Sequence, residues 1–69
     1  MDIDLTYHII DIMMDKKVSE RRLALYSGVG HSTINDILND RTKPTLETIC
    51  KLALALNVPA HALYSYKKL

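Results

Sequence analysis

The stretch from Leu23 to Ile37, LALYSGVGHSTINDI, constrains this chain more than any other. Its spacing fits two short helices that cross at close range through a tight turn. Ala24 stands where the helices meet, with room for little beyond a methyl group. Gly28 follows and ends the first of them in the left-handed conformation, which glycine adopts at almost no cost. Val29, Ile34 and Ile37 then turn the apolar side of a second helix onto the core at helical spacing.

Sixty-nine residues make one domain, 1–69, at the small end of what folds without a metal or disulfides. A hydrophobic fraction of 48% suffices for a compact core, and only 6% of residues are aromatic, which favours helices. Two glycines and two prolines leave little punctuation for an all-β fold. Cys50 is the one cysteine, so no internal disulfide forms, in keeping with a reducing compartment. The acidic start has no basic region and the longest apolar run, Leu52 to Leu56, is short. Neither a signal peptide nor a membrane span is expected, and the expected location is the cytoplasm.

The pattern predicts five helices, near 4–16, 20–27, 31–39, 45–57 and 59–65. Asp4 is read as the cap of the first, with Leu5, Ile9 and Ile12 inward and Tyr7, Ile10, Met13 and Met14 as surplus apolar residues. Ser19 caps the second helix and Thr45 the fourth, whose buried side is Leu46, Ile49, Leu52, Ala53 and Leu56. Pro59 suits the first turn of the last helix. The expected architecture is therefore all-α, a compact five-helix bundle.

Three segments carry a family resemblance: LALYSGVGHSTINDILND, RTKPTLETICKLALALNV and the closing PAHALY. From Val18 to Leu63 the chain resembles the phage-repressor/Cro helix-turn-helix domains, also called the xenobiotic-response-element type. The resemblance implies a lambda-repressor-like bundle that regulates transcription, with double-stranded DNA as partner and the third helix in the major groove. Two copies on a palindromic operator are a further implication. Ile10, Met13 and Met14, or else Leu63, Tyr64 and Tyr66, are candidate surfaces for pairing.

With Ile34, Ile37 and Leu38 inward, the outward stripe of the third helix is His31, Ser32, Asn35, Asp36 and Asn39. Asn35 can pair with adenine through both amide atoms, and His31 and Ser32 can bond purine edges. Asp36 accepts only, which suits the amino group of cytosine. His31, Ser32, Asn35 and Asp36 are thus the candidate base readers. Candidate backbone contacts are Lys17, Arg21, Thr33, Asn39, Arg41, Thr42 and Lys43.

Net charge is only +1, but it is unevenly spread. Residues 1–15 carry Asp2, Asp4, Asp11 and Asp15 with no cation, while residues 16–43 hold six cations against three acids. Such polarity orients a domain toward phosphates. Three positions depart from the family's pattern. Glu20 replaces a glutamine that contacts the DNA backbone, Gly30 replaces a serine or threonine cap, and Asp40 replaces a glycine. The acidic replacements, with Asp36, favour an alternative reading as a protein-interaction module such as an antitoxin or anti-repressor. His8, His31 and His61 lack partners at metal-ligand spacing, and no phosphate loop or nucleophilic triad is present. No enzyme activity, cofactor or small-molecule ligand is expected.

Overall fold

In the computed structural model, which describes all 69 residues, four α-helices are flanked by two short strands. The order is β1 (Ile3–Tyr7), α1 (Ile9–Lys16), α2 (Glu20–Ser27), α3 (His31–Leu38), α4 (Leu46–Leu56), a 3-10 turn (Ala60–Leu63) and β2 (Tyr64–Lys68). The strands pair antiparallel, Ile3 opposite Lys68 through Tyr7 opposite Tyr64. The expected all-α five-helix bundle is therefore corrected at both ends. Residues read as the start of a first helix form β1, and the last helix shrinks to a single 3-10 turn that runs into β2.

The physical reason lies in the side-chain pattern. Ile3-Asp4-Leu5-Thr6-Tyr7 and Tyr64-Ser65-Tyr66-Lys67 both alternate apolar with polar, and both are rich in β-branched or aromatic residues. Directly opposed residues share a face, so Leu5 meets Tyr66 on one side and Asp4 stands opposite Lys67 on the other. His8 then ties the ribbon to the bundle. Its amide donates to the Leu63 carbonyl at 2.9 Å, and its Nε2 lies 2.8 Å from Ser65 Oγ. A sparse supply of glycine and proline does not forbid such a sheet, because almost the whole chain, rather than a hairpin turn, joins its strands.

All ten buried residues lie in the helices and the 3-10 turn, and none is polar or charged. Ile9 and Met13 of α1, Leu23 of α2, Ile34 and Ile37 of α3, four residues of α4 and Leu63 form one cluster. Met13 and Leu63 are thus core residues, not surplus surface. Leu5, read as inward, belongs to the ribbon and is 38% exposed. Leu46 occupies the first position of α4 rather than its buried side and is 71% exposed.

Of the three expected caps, Ser19 and Thr45 are present, whereas Asp4 lies within β1 and α1 starts after His8 without a side-chain cap. Ser19 Oγ accepts from the Arg22 amide at 3.2 Å, and Thr45 Oγ1 accepts from the Thr48 amide at 3.2 Å, each contributing roughly 1 kcal/mol. Gly28 closes α2 at φ 73°, its amide donating to the Ala24 carbonyl. At the other end of the turn Gly30 offers α3 no side-chain cap.

Candidate nucleic-acid interface

α1, α3 and α4 end alike. Lys17, Asp40 and Asn57 take left-handed conformations at φ 57° to 58°, and the next amide turns back to a carbonyl five residues earlier. Val18 bonds Met13 at 2.9 Å, Val58 bonds Ala53 at 3.0 Å and Arg41 bonds Asp36 at 2.8 Å. In α1 and α4 the returning side chain is a valine that packs on the core. In α3 it is an arginine that stays at the surface.

That closure builds a side-chain network along the outward face of α3. Arg41 Nε donates to Asp36 Oδ1 at 2.9 Å, and Arg41 Nη2 donates to Asn35 Oδ1. Asn35 Nδ2 in turn donates to Glu20 Oε2 at 3.3 Å, and the same oxygen accepts from His31 Nε2 at 3.3 Å. Glu20 opens α2 and His31 opens α3, so the crossing of the two helices sets their N-terminal turns side by side. Asn39 Nδ2 donates to the Asn35 carbonyl at 2.8 Å.

The predicted residues therefore divide. His31, Asn35, Asp36 and Arg41 are joined in one network, to which Asn39 is attached through backbone. Ser32 and Thr33 are exposed on the first turn of α3. Thr42 and Lys43 are exposed in the segment leading to α4, Lys17 closes α1, and Arg21 lies in the first turn of α2. The sequence marks Glu20 as a lost backbone contact and as an acid favouring an interaction module, but not as the acceptor that bonds two α3 side chains. The signal was present: a tight crossing of two helices brings their first residues together.

The ion pairs decide which charges are free. There are three, His31 with Glu20, Arg41 with Asp36, and Lys51 with Glu47. Asp36 is thus answered within the domain and Glu20 only when His31 is protonated, whereas Asp40, Lys17, Arg21 and Lys43 have no partner of opposite charge. Across the ribbon Asp4 stands opposite Lys67, which offsets part of the acidity of the N-terminal segment. No group of three or more His, Cys, Asp or Glu is arranged to hold a metal ion, and no helix is long and apolar enough to cross a membrane.

Two helices in close crossing, with the polar face of the second left open, define a DNA-binding class of domain. A sequence model described as helix-turn-helix matches residues 9–63, most of the chain. The chain belongs to the Cro/repressor-type helix-turn-helix family, a DNA-binding rather than an enzymatic one, with a role in regulating transcription. No curated protein matches it.

Proposed function

We propose that this domain binds double-stranded DNA sequence-specifically, as a small repressor-like regulator whose α3 enters the major groove. One observation carries the reading: Asp36, on the outward face of α3, is paired with Arg41, while Lys17, Arg21 and Lys43 have no anionic partner. Lys17, Arg21 and Lys43 therefore remain available to neutralise the backbone. His31, Ser32, Asn35 and Asp36 read base edges. Thr33, Asn39 and Thr42 add neutral hydrogen bonds to phosphates. Asn35 retains one N–H and one lone pair beyond those given to Glu20 and Arg41, enough for a bidentate contact with adenine.

Two copies bind a palindromic operator, since one small domain neutralises few phosphates. Of the apolar residues available for pairing, Ile10, Met14 and Tyr66 are exposed. Sedimentation on and off DNA tests this, and a strict monomer in both states contradicts it.

The experiment for the main reading is binding to duplex DNA over a salt series, with Asn35→Ala beside the wild type. Affinity falls steeply with salt, and the variant loses about 1–3 kcal/mol of discrimination at one base position. A domain that ignores duplex DNA at low salt is instead an interaction module of the antitoxin or anti-repressor kind.

A further inference from the structure

We infer that Arg41 is a specificity-determining residue that recognises guanine, rather than one more phosphate contact beside Lys43. The inference rests on the reading that α3 enters the major groove, and it starts from where the chain puts this side chain. The left-handed Asp40 returns Arg41 to α3, where its amide bonds the Asp36 carbonyl and its Nε bonds the Asp36 carboxylate. A second contact, Nη2 to Asn35 Oδ1, ties the guanidinium to the same face. Arg41 therefore belongs with His31, Ser32 and Asn35 rather than with the exposed segment that follows it.

Donor arithmetic narrows the partner. A guanidinium carries five N–H groups, of which Asp36 and Asn35 take one each. Three remain, two on Nη1 and one on Nη2, and these form the free end of the fork. The side chain is 57% exposed, so that end is accessible. Its surroundings disfavour an anion, because Asp36 touches the guanidinium and Glu20 lies one hydrogen-bonded residue away. A phosphate here would meet both carboxylates. A base edge carries no net charge and avoids that repulsion.

Among the bases, guanine alone presents two acceptors, O6 and N7, side by side in the major groove. Adenine offers one acceptor and a competing donor, thymine one acceptor and a methyl group, and cytosine a donor. Two N–H groups at the end of the fork match guanine and leave an unpaired group against each alternative. Asp36 is the positioning residue of this arrangement: by holding Nε it aims the free end.

The test is selection of bound duplexes from a random pool by the wild-type protein, Arg41→Ala and Asp36→Ala. The wild type enriches a motif containing a guanine, and exchange of that G·C pair for A·T lowers its affinity about 5- to 150-fold. Arg41→Ala binds the two duplexes alike and retains the rest of the motif. In Asp36→Ala the ratio of affinities for the G·C and A·T duplexes falls toward that of Arg41→Ala, because the free end of the fork is no longer aimed. The inference is overturned if Arg41→Ala keeps the full motif while weakening every duplex uniformly, with a salt slope reduced by about one. A wild type that enriches no motif fails at the earlier step, the DNA reading itself, and takes this inference with it. Unchanged helical circular dichroism of both variants confirms that exposed side chains alone were altered.

Discussion

The helical core and the terminal ribbon of this molecule are held together by different physics. The core, α1 to the 3-10 turn, contains every buried residue and coincides with the span matched by the family, 9–63. The ribbon lies outside that span and buries nothing fully. A two-stranded sheet is marginal in water unless it docks on something larger. Here the docking comes from Tyr7 and Tyr64 packed on the core, and from His8 bonded to Leu63 and Ser65. The core stabilises the ribbon, and the outward face of α3 belongs to the core alone. The two regions should therefore fail separately.

The largest expected effect comes from Leu23→Ala, which opens a cavity at a position with 0% exposure beneath the helix crossing. A loss of about 2–5 kcal/mol is expected, enough to unfold much of so small a domain at room temperature. Thermal melting checks it, and a loss below 1 kcal/mol means the crossing is not the centre of the core. Next comes Gly28→Ala. A methyl group there meets nothing within 4 Å, so the cost is conformational only, about 1–2 kcal/mol from forcing alanine to φ 73°. The smallest is Leu5→Ala in the ribbon, below about 1 kcal/mol in the melt. Hydrogen exchange sharpens the contrast: amides of β1 and β2 lose protection while those of α2 and α4 keep theirs. Loss of protection in both regions together breaks the distinction.

The sequence revealed the core far better than the ribbon, for a physical reason. Ala24, Gly28, Ile34 and Ile37 act over short distances, so local spacing reports the helix crossing directly. The caps Ser19 and Thr45 are local as well. Pairing of Ile3 with Lys68 spans nearly the whole chain, and no local pattern announces a partner so distant. The alternation in residues 3–7 was visible, yet Leu5, Ile9 and Ile12 also fitted a helix, and that reading concealed it. At the interface, spacing identified which α3 residues face outward. What it did not reveal was how their side chains bond. Glu20 as a shared acceptor and Arg41 as a returning side chain both depend on tertiary geometry, the first through the α2–α3 crossing and the second through the left-handed Asp40.

The central claim, that the outward face of α3 meets DNA bases, is tested most directly by amide resonances of the whole domain during titration with a selected duplex. The account predicts the largest shifts from His31 to Lys43 and in the first turn of α2, with the ribbon little changed. Shifts concentrated in the ribbon or on the outer face of α4, with α3 unmoved, would contradict it.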